Sequence, residues 1–205
     1  MLVIRESDKN SIELACEFLR AGKIISFATD TVYGLAVDAA NFKAVEALFT
    51  LKKRDPKKPI AIFVKDLTSA EKIFYFDQVA KKIAEKFESE SLTLILETKP
   101  KCAAILAANL NQNDEKFLGF RIVNRDFIKN LLEKFGGILA VTSANPSAEK
   151  AAISAGEVEK YFAKSNLDLL VDGGKSEQEI ASAVVKVVSG KIQIIRQGSI
   201  NFSKI

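Results

Sequence analysis

Short β-rich apolar runs alternate with amphipathic helical patterns along almost the whole chain. This alternation restricts the fold more than any other feature. The runs are "LVI" (2–4), "KIISFA" (23–28), "GLAV" (34–37), "IAIFV" (60–64), "SLTLIL" (91–96), "KFLGFRIV" (116–123), "GILAV" (137–141), "LDLLV" (167–171), "SAVVKVV" (182–188) and "KIQII" (191–195). Between them, Ile12, Ala15, Cys16 and Leu19 recur at helical spacing from Ser11 to Ala21, and Gly22 ends that helix. Asn41 caps a second helix, whose apolar side carries Val45, Leu48 and Phe49. Further helices are predicted at Leu67–Phe74, Val79–Phe87 and Phe127–Phe135. Another runs to Phe162 from a capping box of Ser154 and Glu157. "CAAILA" (102–107) is ambiguous, and Ser189-Gly190 closes a hairpin. Strict βαβ alternation is absent, as are repeats and linkers. The expectation is one α/β domain over 1–205, with a twisted mixed β-sheet and flanking helices.

Composition removes whole classes of function. Histidine is absent from the 205 residues. That excludes Ser-His-Asp and Cys-His catalysis, His-based zinc sites and any imidazole base. The two cysteines, Cys16 and Cys102, form no C-x-x-C pair. Cys16 falls on an apolar helix face and is expected to be buried. Chemistry must rest on carboxylates, Lys, Arg, hydroxyls, backbone dipoles or a bound metal, whose ligands the sequence does not reveal. The net charge of +4 is compatible with anionic ligands, including nucleotides and RNA. No apolar run is long enough for a membrane span, and the start lacks signal-peptide features, so the expected location is cytoplasmic.

Four polar stretches each adjoin a predicted strand: "TDTVYG" (29–34), "KKRDPKKP" (52–59), "TSANPSA" (142–148) and "VDGG" (171–174). In α/β sheets, strand ends are where ligands bind. Each stretch also has a structural explanation. Thr and Tyr are good strand formers. A basic loop suits a solvated surface, "SAN" suits a cap or turn, and "DGG" suits a turn. The stretch 52–58 holds five basic residues against one acid, and Pro56 and Pro59 keep it from being helical. It suits phosphate, with Arg54 as a planar fork and Lys58 as a mobile point charge. Neither a Walker A loop nor a G-x-G-x-x-G turn is present. Arg121, within "GFRIV", and Arg196, within "IIRQG", each need an anion, an ion pair or an edge position.

The order and spacing of these pieces resemble the YrdC/TsaC-like family of threonylcarbamoyl-adenylate synthases, of the short single-domain type. The family pattern has P-T-E-T-V-Y-G-L, K-x-R-x-x-x-K-P-L, a strand arginine, S-A-N, D-G-G, S-T-V and R-x-G. This sequence has "ATDTVYGL", "KKRDPKKPI", "FRIV", "TSANPS", "VDGG", "SAV" and "RQG" in the same order. It departs from the pattern at Ala28 for Pro, Asp30 for Glu, "SES" (89–91) for P-G-P, Val123 for Pro, Ala148 for Gly and Ala183 for Thr.

The resemblance implies a basic concave cleft in which L-threonine, bicarbonate and ATP, with Mg²⁺, give threonylcarbamoyl-adenylate and pyrophosphate. The adenylate then serves tRNA threonylcarbamoyladenosine modification, with tRNA and the downstream threonylcarbamoyltransferase components as partners. By resemblance, Thr31, Arg121 and Ser182 face threonine, with Arg121 on its carboxylate. Arg54 and Lys58 hold the ATP phosphates and are the candidate catalytic groups. Ser143, Asn145 and Arg196 lie at the nucleotide. Two other readings stand beside this one: an RNA-binding module without chemistry, and a related enzyme with another carbamoyl or adenylate substrate. RNA binding would not require the threonine-side residues, which favours the synthase.

Overall fold

The computed structural model describes residues 1–87, 91–114, 116–176 and 180–200. The chain runs β1 (Leu2–Arg5), α1 (Ser11–Arg20), β2 (Ile25–Ala28), β3 (Tyr33–Asp38), α2 (Phe42–Lys52), β4 (Ala61–Val64), α3 (Leu67–Ile73) and α4 (Gln78–Lys86). It continues with β5 (Leu92–Glu97), α5 (Pro100–Ala103), a 3-10 turn at Ala108–Leu110, β6 (Phe117–Ile122), α6 (Asp126–Phe135) and β7 (Leu139–Ser143). It ends with α7 (Ala155–Phe162), β8 (Leu169–Asp172), β9 (Ala183–Val188) and β10 (Lys191–Arg196). The ambiguous stretch after Lys101 is the end of the short helix α5 and a turn.

Local chemistry sets the boundaries. The Asn41 side chain accepts the Ala44 N–H at 3.1 Å and starts α2. The capping box at α7 is shifted: Ser154 accepts from the Glu157 N–H, while Glu157 reaches back to the Ile153 N–H at 2.7 Å rather than to Ser154. Ser189 and Gly190 both take positive φ, 50° and 74°, as a tight hairpin turn requires.

The strands form one sheet in the order β1-β8-β2-β3-β7-β4-β6-β5-β9-β10 among the described residues. β1, β8 and β2 are mutually parallel, as are β4 with β6 and β5 with β9. The remaining neighbours are antiparallel, so the sheet is mixed as expected.

Alternation of side chains gives the sheet two unlike faces. One face packs Leu35, Ile62, Leu94, Phe120 and Val185 against α2, α3, α4 and α7. The other packs Ile25, Phe27, Phe63, Val141 and Val171 against α1 and α6. On β6, β5 and β9 that second face changes character. It carries Gly119, Arg121, Thr93, Ile95, Val184 and Lys186 instead of a continuous apolar set. This strip is where the polar residues of the sequence motifs converge.

The C-terminal stretch crosses beside the strip. Arg196 donates Nε and Nη2 to the Ser182 carbonyl at 2.9 and 2.8 Å, and Ile200 is buried in the larger core. A Cβ on Gly198 would stand 2.3 Å from the Ala183 nitrogen and 2.9 Å from the Ser182 carbonyl carbon. Backbone cannot yield there as a side-chain tip can. Gly198→Ala is therefore expected to lower stability by about 1–3 kcal/mol, the usual cost of overpacking. Urea denaturation checks this; unchanged stability would show that the segment does not pack on Ser182–Ala183.

Candidate functional site

The β2–β3 turn is largely a self-contained device. The Thr29 hydroxyl accepts from the Thr31 and Val32 N–H groups at 3.1 and 3.2 Å and donates to the Val32 carbonyl at 2.6 Å. Tyr33 is fully buried, and burial pushes its phenol up to about 12. Its hydroxyl donates to the Gly174 carbonyl at 2.6 Å and accepts from the Gly173 N–H at 3.2 Å. Its backbone accepts from the Ala144 N–H and donates to the Ala152 carbonyl. Thr29 thus closes the turn on itself, and Tyr33 locks it to the "DGG" segment, Ala144 and Ala152. They do not form a ligand-facing rim with their neighbours. Asp30 and Thr31 are the part that reaches outward.

Strands β7 and β4 lie between β3 and β6. The turn, at the ends of β2 and β3, therefore meets Arg121 across two intervening strands. Arg121 donates Nη1 to the Thr31 hydroxyl at 2.8 Å and pairs through Nη2 with Asp30 Oδ2. The two side chains are 5% and 14% exposed, so this is a buried ion pair. Ser91 donates to the same Asp30 oxygen at 3.0 Å. The guanidinium also lies 5.9 Å from the Phe63 ring centre. Arg121 Nε and Asp30 Oδ1 are buried with no hydrogen-bond partner.

Ser182 stands beside this cluster. Its hydroxyl lies 2.8 Å from that of Thr93 and accepts from Arg196 Nη2 at 3.2 Å. Arg54 folds back on its own loop, donating to the Lys58 and Pro59 carbonyls at 3.0 and 2.9 Å. Burial and then the charge of Arg196 lower Arg54. Arg121 is also lowered, first by burial, with Arg196 contributing against the opposing effect of Asp30. Arg196 reaches Ser182 and, through it, Thr93 on β5, the strand beside Arg121. Lys58 is exposed on the loop.

Ser143 ends β7, and Asn145 follows it in a buried turn. Asn145 Nδ2 donates to the Pro146 and Glu149 carbonyls at 3.0 and 2.7 Å. That leaves the Asn145 side chain organising the loop more than facing solvent. Its partner is a residue the sequence reading did not assign. Lys52 is almost completely buried, and its ammonium bonds the Ser143 carbonyl, the Asn145 carbonyl at 2.8 Å and Asn145 Oδ1 at 3.1 Å. Burial, with a contribution from Arg54, brings Lys52 down to about 7. A signal existed: Val45, Leu48, Phe49 and Lys52 share one helical stripe, so the α2 pattern points Lys52 inward.

The departures from the family pattern have local consequences. Ala148, where the pattern has Gly, takes φ 74°, a left-handed conformation that costs an L-residue about 1–2 kcal/mol. Val123 and Ala183 are fully buried. Of "SES", Ser91 is the Asp30 partner, and residues 89 and 90 lie outside the described residues.

A groove of about 750 Å³ lies elsewhere, lined by Asp38, Lys65, Lys72, Phe135 and Ile138 among others, and includes none of the expected site residues. Among the described residues no group of three or more acidic or thiol side chains could hold a metal. No described helix is long and apolar enough to cross a membrane.

Comparison with known proteins settles the family. The profile described as "Telomere recombination", Sua5/YciO/YrdC, matches residues 17–198. The chain belongs to the Sua5/YciO/YrdC family. A Methanocaldococcus jannaschii protein, provisionally named threonylcarbamoyl-AMP synthase, is 34% identical over 98% of this chain and 91% of its own length. The mouse threonylcarbamoyl-AMP synthase is 32% identical over 92% of this chain and 67% of its own length. Among solved structures, Pyrococcus abyssi Sua5 complexed with L-threonine matches with a TM-score of 0.89 at 24% identity. That match covers 99% of this chain but 58% of the longer one. Escherichia coli YciO matches with a TM-score of 0.85 at 21% identity, over 98% and 96% of the two chains. The Sua5/YciO/YrdC sheet and flanking helices are thus shared by this chain.

Proposed function

We propose that this Sua5/YciO/YrdC chain is an L-threonylcarbamoyladenylate synthase. It would convert L-threonine, bicarbonate and ATP into threonylcarbamoyl-AMP and pyrophosphate. The observation that carries the reading is the buried Arg121, bonded to Thr31, beside the hydrogen-bonded chain of Thr93, Ser182 and the cation Arg196. An anion-binding region thereby adjoins a buried arginine suited to a carboxylate. The shared name of the relatives supports it.

In this reading Arg121 holds the threonine carboxylate. The neutral threonine amine condenses with bicarbonate to a carbamate, the new C–N bond replacing a C–OH bond as water leaves. A carbamate oxygen then bonds to the α-phosphorus of ATP, and pyrophosphate leaves. Orientation and charge neutralisation are the main demands of such a displacement. Arg54, Lys58 and Arg196 neutralise the phosphates. Lys52 fixes the loop that presents Ser143 and Asn145 to the nucleotide. Mg²⁺ enters with ATP as part of the substrate. The adenylate passes to threonylcarbamoyl transfer onto tRNA, a role compatible with a cytoplasmic enzyme. RNA binding without chemistry is disfavoured by burial: RNA phosphates do not call for a buried Arg121–Asp30 pair.

The test is pyrophosphate release from ATP and Mg²⁺. Release is expected to require both L-threonine and bicarbonate. Release that ignores threonine, or none from folded protein that binds RNA, would overturn the reading.

A further inference from the structure

Within the described residues, five side chains have a buried polar atom without a partner: Ser26, Asp30, Asn109, Arg121 and Ser176. The two charged ones are partners of each other. Arg121 uses Nη1 on Thr31 and Nη2 on Asp30, while Nε donates to nothing. Asp30 uses Oδ2 for both Arg121 and Ser91, while Oδ1 accepts from nothing. A donor and an acceptor are therefore left open on the two halves of one ion pair. Groups buried in this way are normally satisfied.

We propose that Asp30 recognises the amino group of the amino-acid substrate and, until that substrate arrives, occupies the place of its carboxylate on Arg121. An α-amino acid carries the complementary pair, a carboxylate acceptor and an ammonium donor on adjacent atoms. Its carboxylate takes Nη2 and Nε of Arg121. Asp30, released, stays tethered to Ser91 and turns to the ammonium. Each charge lost in the exchange is replaced by one of the same sign, so the buried site is never left with an unpaired ion. Among the described ion pairs, Asp30 is the acid that Arg121 holds.

The exchange gives selectivity. A 2-hydroxy acid can take Arg121 from Asp30, but it offers no cation in return and leaves Asp30 buried and unpaired. The site should therefore select α-amino acids over their 2-hydroxy analogues. The family pattern has Glu where this chain has Asp30, and a carboxylate one methylene longer can make the same exchange.

This assignment rests on the amino-acid reading above, and calorimetry can separate the two. L-threonine, 2,3-dihydroxybutanoate and ATP are titrated into the wild type, Asp30→Asn and Asp30→Glu. The wild type is expected to prefer threonine over the hydroxy acid by roughly 10- to 150-fold, the range of a charged hydrogen bond. Asp30→Asn should bind threonine only as well as the hydroxy acid, with ATP affinity unchanged. Asp30→Glu should keep most of the preference. Equal wild-type affinity for the two acids, or full threonine affinity in Asp30→Asn, overturns the assignment while leaving threonine as substrate. A folded wild type that binds ATP and no threonine overturns the functional reading as well. If Asp30→Asn does not fold, the wild-type comparison and Asp30→Glu decide.

Discussion

Arg121→Ala is expected to cost about 3–5 kcal/mol of folding stability, because it strands the Asp30 carboxylate in a buried site without its cation. The magnitude follows from geometry. Both side chains are largely buried, and the salt bridge joins the β2–β3 turn to β6 across two intervening strands. A surface pair would contribute roughly 0–1 kcal/mol, which the two outcomes readily distinguish. Removing both charges together, as Asp30→Asn with Arg121→Met, should recover most of the loss, since no buried charge is then uncompensated. Urea denaturation of Asp30→Asn, Arg121→Met and the double variant closes the cycle. If Arg121→Ala loses less than about 1 kcal/mol, the pair is not buried in solution. The recovered double variant also tests the ligand role cleanly. It should be folded and yet bind threonine more weakly by about 1.5–3 kcal/mol, with ATP binding little changed.

Binding of ATP above neutral pH is expected to take up a proton, with affinity falling up to roughly tenfold per pH unit between about 7.5 and 9. The source is Lys52, brought down to about 7 mainly by burial and further by Arg54. Polyphosphate beside Lys52 and Arg54 favours the ammonium and raises Lys52 again. Above pH 7 the free protein has lost the proton that the complex holds, so binding must recover it. Titration calorimetry at pH 8.5, in two buffers of different ionisation heat, reads the uptake directly; ATP is already fully ionised there. Lys52→Arg keeps its charge and should abolish the uptake. Heats that do not depend on buffer would mean that Lys52 does not sense the nucleotide. Folding has its own linkage to the same group, with a definite sign. Between about 7 and the ordinary lysine value, the unfolded chain binds a proton that the folded chain does not. Stability due to Lys52 therefore rises with pH across that window and is flat below it.

Much of this architecture was legible from local pattern. The apolar runs at 23–28 and 60–64 are strands because β-branched and aromatic residues fill a pleated sheet buried on both sides. Asn41 and Ser154 start helices because their side chains satisfy the free N–H groups of a first turn. Ser189-Gly190 turns the hairpin because Gly190 takes the positive φ freely. Each of these depends on residues within a few positions of one another.

The ordered motifs also named Thr31, Arg54, Arg121, Ser182 and Arg196, and the fold bonds Thr31 to Arg121 and Ser182 to Arg196. The sequence alone determined which residue types are present, that histidine is not among them, and which segments are strand, helix or turn. Only the tertiary structure decided what each polar group does. Tyr33 and Asn145 use their side chains to hold loops together. Asp30 holds Arg121, and Lys52, one of several lysines in a basic run, is the one turned inward. The physical reason is range. Helix, strand and turn preferences act between near neighbours, so they can be read from order. An ion pair between residues 91 positions apart forms because β3, β7, β4 and β6 stack in that order, and burial then makes that contact strong.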